Sequence, residues 1–334
     1  MKLQLFRLTV VAVLSGVPFC ILAQQPSPKL SDPLRTTYYP EALCVGCILP
    51  EWDHGLLLEK EIHKDPSIVS MYDSTGRKLL AAHISPPEYS DIGVHTAAST
   101  KKGGVIAAAV GNATDGNRHD FIAKTDSAGR TVQSLRTEGF AAEVLCEADD
   151  FSVWALGVDW DADEIVVQRY SFEKGLTARF VAVEEPAENI DTGLKPWQFE
   201  IGYLHCGKDR VSVFLPRSRR YVEIDIASGN LTRWKVDISS AIGPSPAGFA
   251  VTDDGRTFAA FVNSGRSRLY ELRAPNGSPL ASLVPITAAN GTDAEQFAVG
   301  RLWSAEGNEL IVARTGDGLS ASWVKVISTP SNPD

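Results

Sequence analysis

Four carboxylates crowd one short stretch, Val158-Asp159-Trp160-Asp161-Ala162-Asp163-Glu164. Alternating aspartates can wrap a hard cation, which makes Asp159, Asp161 and Asp163 the candidate metal ligands. The EF-hand register fails: Glu164 stands where that loop needs Gly, and Tyr170 where it needs a bidentate Glu. The stretch therefore reads as a solvated acidic hairpin loop, and no resident metal or cofactor is expected. Six histidines, His54, His63, His83, His95, His119 and His205, are scattered without any metal-binding spacing. No nucleophile elbow, phosphate-binding glycine loop or nucleotide fingerprint occurs.

Cysteine chemistry is a second possibility. Cys44-Val45-Gly46-Cys47 is a C-x-x-C, but Ile48 follows where covalent haem attachment needs His. It also lacks the strand-to-helix setting of a thioredoxin-like site. A local Cys44–Cys47 disulfide and a free or metal-binding pair both remain open. Cys146 and Cys206 occupy equivalent places in neighbouring repeats. A bond between them requires adjacent inner strands to bring their Cα atoms within about 7 Å, a span those strands are expected to exceed.

The chain opens with Lys2 and Arg7, an apolar run from Leu8 to Leu22, and Ala23. That pattern is a secretory signal segment, cleaved after Ala23. Export to a periplasmic or extracellular compartment follows, where disulfides persist. Residues 24–34 read as a flexible leader and 35–330 as a single domain, with no membrane span once the signal is removed. The net charge is −9, and residues 1–23 contribute two basic and no acidic residues, so the exported chain is more acidic still. Such a balance argues against nucleic acid and anionic lipid as partners.

What must position these side chains is a repeat. Alternating strand, glycine turn and strand recur at Gly76, Gly129, Gly175, Gly229 and Gly277, at intervals of 46 to 54 residues. A second hairpin precedes each, turning at Gly55, Gly104, Asp150, Asp209 and Gly255, and a sixth turns at Gly307. Glycine supplies the positive φ of such turns. Two hairpins make a four-stranded sheet that cannot bury both faces alone, so the sheets stack radially. The fold class is all-β, a six-bladed β-propeller of four-stranded antiparallel blades. With six inner hairpins against five outer ones, the last blade lacks a strand. Arg35 to Tyr39, "RTTYY", is expected to supply it and close the ring.

The stretches "WSAEGNEL" from Trp303 and "VTDDGRTF" from Val251 resemble the W-S-P-D-G-K turn of Tol-type six-bladed propellers. Ala305 and Asp253 replace its Pro, and Glu306 replaces its Asp in the first. "YDSTGRKLL" from Tyr72 resembles NHL-type propeller repeats of secreted bacterial proteins. The resemblance implies a fold and no activity.

Function in a propeller sits on loops. His95 is expected to begin an inner strand near the channel. The loops between blades carry Tyr89, Trp197 and Phe199, and a loop within the fourth blade carries Arg219 beside Arg217 and Arg220. Tyr89, His95, Trp197, Phe199 and Arg219 are accordingly the ligand-binding candidates. The opposite face is expected to hold mostly tight turns with less side-chain variety. The reading is a monomeric exported binding or scaffold module for a protein or small molecule, with no catalytic residue assigned. A metal-dependent, lactonase-like hydrolase on the same fold is the alternative.

Overall fold

The computed structural model describes residues 29–39, 51–61, 65–183, 202–236, 245–263, 266–273, 279–288, 300–315 and 319–327. Two short strands come first, β1 (Lys29–Leu30) and β2 (Arg35–Tyr39). Four complete sheets follow the predicted order. Blade 1 is β3 (Glu51–Asp53), β4 (Leu56–Lys60), β5 (Ile68–Tyr72) and β6 (Lys78–His83). Blade 2 is β7 (Tyr89–Ser99), β8 (Val105–Ala113), β9 (Arg118–Thr125) and β10 (Thr131–Arg136). Blade 3 is β11 (Phe140–Glu147), β12 (Val153–Asp159), β13 (Glu164–Ser171) and β14 (Gly175–Val181). Blade 4 is β15 (Tyr203–Cys206), β16 (Arg210–Leu215), β17 (Arg220–Asp225) and β18 (Leu231–Lys235). Blade 5 is β19 (Ser245–Val251), β20 (Thr257–Asn263), β21 (Arg266–Arg273) and β22 (Pro279–Ala288). Blade 6 begins with β23 (Gly300–Glu306), β24 (Glu309–Thr315) and β25 (Leu319–Ile327). Among the described residues there is no helix. The chain is an all-β, six-bladed propeller.

Burial explains the sequence pattern. The second strand of a blade is covered on both faces by neighbouring sheets, so Val153 to Val158 is an unbroken buried run. The outer strand meets solvent, and β10 and β14 have no buried residue. The core is six apolar clusters, each wedged between adjacent blades. The seam between blades 6 and 1, for example, packs Trp323 and Ile311 against Trp52, Leu57 and Tyr72. Such seams stabilise a ring that no single sheet could sustain.

β2 lies antiparallel to β25 as the outermost strand of blade 6, with Arg35 opposite Trp323 and Tyr39 opposite Leu319. Tyr39 is buried in the blade 6–blade 1 seam, edge-on to Trp52 at 5.5 Å. The Arg35 guanidinium pairs with Glu306 and sits 4.3 Å over the Trp323 ring. The expectation of a free leader over 24–34 is corrected in its second half. Lys29–Leu30 runs parallel to β22 and antiparallel to the end of β25. Leu30 is 1% exposed between blades 5 and 6, so its apolar side chain anchors the segment.

Cys146 and Cys206 are disulfide-bonded, with Cα atoms 5.6 Å apart. The expected excess span is corrected, because the inner strands β11 and β15 stand close enough at these two positions to be bridged. Both sulfurs lie in the cluster between blades 3 and 4. Cys44 and Cys47 lie outside the described residues.

Candidate functional site

In each blade, the turn from first to second strand and the turn from third to fourth strand emerge on one face of the ring. Three of these inner turns share one hydrogen-bonding plan. Gly103 N–H donates to Thr100 O, and Thr100 N–H to Gly104 O. Gly255 N–H donates to Thr252 O, and Thr252 N–H to Arg256 O. Phe151 N–H donates to Ala148 O, and Ala148 N–H to Ser152 O. The residue closing such a turn is left-handed, with φ of 82° at Gly103, 80° at Gly255 and 62° at Phe151. Glycine occupies that conformation freely, whereas an L side chain costs roughly 1–2 kcal/mol. Blade 3 therefore holds a phenylalanine where two equivalent turns hold glycine, and the ring is 50% exposed.

Beside Phe151 opens a cavity of about 630 Å³ between blades 2 and 3. Its cationic lining is Lys102, Lys124, Arg169 and Lys174; its carboxylates are Asp150 and Glu173. Lys102 Nζ lies 5.2 Å from the Phe151 ring centre, and Lys124 Nζ lies 5.9 Å from that of Phe172. Arg169 pairs with Asp150. Lys124 pairs at 2.6 Å with Glu147, whose carboxylate is buried and also accepts the Lys101 backbone N–H at 2.6 Å. One wall is thus rigid and neutralised, while Lys102 and Lys174 stand on the turns.

The same turns surround the end of the central channel. Asp53 closes β3, and His54-Gly55 forms a two-residue turn with φ of 50° and 78°. Glycine suits position 55 because its φ is one that L side chains rarely adopt, and a Cβ there would also lie 2.8 Å from the Glu306 side chain, which would have to shift. Asp53 takes His54 Nδ1 at 2.6 Å on one oxygen, and the N–H and Oγ–H of Ser99 at 2.7 and 2.6 Å on the other. Burial pushes the Asp53 carboxyl up, and these hydrogen bonds together hold it below the usual carboxylate range. The bond to Asp53 raises His54.

His205, from blade 4 on the opposite side of the ring, brings its imidazole within 5.8 Å of that of His54. Burial, aided by His54, pushes His205 down to about 4. Lys101 and Asp149 pair at 3.0 Å beside them. The residue types of a nucleophilic triad are present, but Ser99 donates to the carboxylate instead of facing the imidazole, so the group ties blade 1 to blade 2. Among the described residues, no group of three or more His, Cys, Asp or Glu could hold a metal ion.

The residues singled out from the sequence do not converge. Tyr89 is the first residue of β7, not a loop residue, and stacks on Phe121 at 4.1 Å. His95 lies inside β7 rather than at its start, where the register shifts between Val94 and Thr96. The bulge turns it toward Asp120, with His95 Nε2 3.8 Å from the carboxylate. Burial lowers His95 and raises Asp120, favouring the neutral form of each. Arg219 is exposed at φ 53° and accepts the Val236 N–H through its carbonyl. Trp197 and Phe199 lie outside the described residues. Asp159 pairs with Arg179 at 2.9 Å and caps Ala162 N–H, Glu164 shares the same arginine, and Asp163 adopts φ 60°. Asp161 stands against Gly139, its Oδ2 2.5 Å from where a Cβ there would lie.

Sequence reasoning missed Phe151. The signal was present: Ala148-Asp149-Asp150-Phe151-Ser152 aligns with Thr252-Asp253-Asp254-Gly255-Arg256, Phe beneath Gly.

No family model and no curated protein matches the chain. Its structural neighbours are propeller proteins. They include a luciferin-regenerating enzyme, 11% identical, TM-score 0.50, covering 89% of this chain and 98% of that one. They also include a PQQ-bound aldose sugar dehydrogenase from Streptomyces coelicolor, 14% identical, TM-score 0.47, covering 91% and 100%. A putative gluconolactonase is 12% identical, TM-score 0.40, covering 91% and 94%. At such identities the likeness is one of fold.

Proposed function

We propose that the protein is an exported ligand-binding module that works through its hairpin-turn face, at the cleft between blades 2 and 3. The observation that carries this reading is Phe151: an exposed aromatic ring held in left-handed backbone beside an open cavity, where equivalent turns use glycine. Strain of this kind concentrates at ligand clamps and functional sites. The Cys146–Cys206 bridge and the signal-like start support export.

The test is a thermal-shift panel of sugars, amino acids, nucleotides, organic acids and metal ions on the parent and on Phe151→Gly. Metal ions are included because the hydrolase alternative requires one. At least one compound should raise the melting temperature of the parent and leave the variant unmoved. A panel whose stabilising compounds all act equally on both proteins would move the site off this face.

A further inference from the structure

We propose that the cleft between blades 2 and 3 takes a small organic anion bearing a flat apolar group, the anion meeting Lys102 and Lys174 and the flat face meeting Phe151 and Phe172. This ligand class rests on the binding-face reading above.

The cleft is opposite in sign to the molecule. The chain carries −9, yet the lining holds four cations against two carboxylates. Arg169 is neutralised by Asp150, and Lys124 by the buried Glu147 behind the wall. Among the described residues, neither Lys102 nor Lys174 pairs with a carboxylate. Glu173 is the remaining acid, on the turn beside Lys174, and it limits the site to one compact anionic group rather than a polyanion.

An exposed ammonium alone binds an anion weakly, since a contact pair in water is worth about 1 kcal/mol. A second contribution is needed, and the rings provide it. Phe151 projects from the inner turn of blade 3, and Phe172 from its outer turn, Ser171 to Lys174, closed by Lys174 N–H on Ser171 O. Each ring has an ammonium within 6 Å of its centre. A ligand that joins an anion to a planar apolar group would engage both features at once. The volume lies within the range of small-molecule sites, about 300–1,000 Å³. The net negative charge of the chain disfavours nucleic acid and other polyanions at longer range.

Phenyl phosphate, inorganic phosphate and phenol separate the contributions, titrated calorimetrically at low ionic strength with the full exported chain. Phenyl phosphate should bind at least about tenfold more tightly than either fragment. Lys102→Gln combined with Lys174→Gln should weaken phenyl phosphate severalfold and leave phenol unchanged. Phe151→Gly should weaken both, and the melting temperature of each variant establishes that it is folded. Phenol binding as tightly as phenyl phosphate, or no binding of phenyl phosphate at millimolar concentration, would overturn the ligand class alone. The binding-face reading would then stand or fall on its own panel. Phenyl phosphate binding that ignores Phe151→Gly would overturn the location and the reading with it.

Discussion

Reducing the bridge between Cys146 and Cys206 should cost this propeller several kcal/mol. The cysteines are 60 residues apart in sequence. Opening a loop of that length returns about 14 cal/mol/K to the unfolded chain, which is about 4 kcal/mol near room temperature. Both sulfurs are buried among Trp154, Val211 and Val213, and reduced thiols would still fill that space, so loss of packing adds little. With an unfolding entropy of about 2.1 cal/mol/K per residue over roughly 300 residues, the melting temperature should fall by about 6 °C. The cleanest background is Cys44→Ala with Cys47→Ala, in which only this bridge responds to reductant. Thermal unfolding is compared with and without dithiothreitol, and thiols are counted in denaturant without reductant. A change under about 1 °C would refute the chain-entropy argument for this loop. Two reactive thiols in the denatured, unreduced variant would show that the bridge does not form.

Deleting residues 35–39 removes the strand opposite Leu319–Trp323 and the buried Tyr39 ring, so stability should drop by at least about 3 kcal/mol, read by urea unfolding. An unchanged midpoint would remove this segment from the closure of the ring. Phe151→Gly should stay within about 1 kcal/mol of the parent, because relief of the left-handed strain offsets the half-exposed ring, and Phe151→Ala should lie about 1 kcal/mol below Gly. A loss of about 3 kcal/mol on Phe151→Gly would make the ring a packing element instead. His205 is held at about 4 in the folded state, below its unfolded value, so the unfolded chain binds the extra proton between the two. Stability should therefore fall as pH drops from about 6.5 toward 4, and His205→Gln should flatten that slope in a series of unfolding curves. An equal slope in parent and variant would place the acid sensitivity elsewhere.

The recurrence of strand, turn and strand was enough by itself to determine the fold class. Period-2 alternation and turn glycines are local, and a blade that buries neither face alone must stack. The unpaired third hairpin strand likewise pointed to Arg35 to Tyr39, because a missing strand is visible as a count. Phe151 was legible in principle, since its pentapeptide aligns with that of Gly255. What alignment could not supply is the cavity beside it, which exists only where the turns of blades 2 and 3 stand side by side. His54 and His205 are 151 positions apart and meet because blades 1 and 4 face each other across the ring. The disulfide depended on how closely β11 and β15 approach at Cys146 and Cys206, and His95 on a bulge that shifts the register by one residue. Strand identity is set by each residue's immediate neighbours along the chain, so the sequence alone determined it. Distances across the ring are set by the angle at which six sheets pack, and only the tertiary structure decided them.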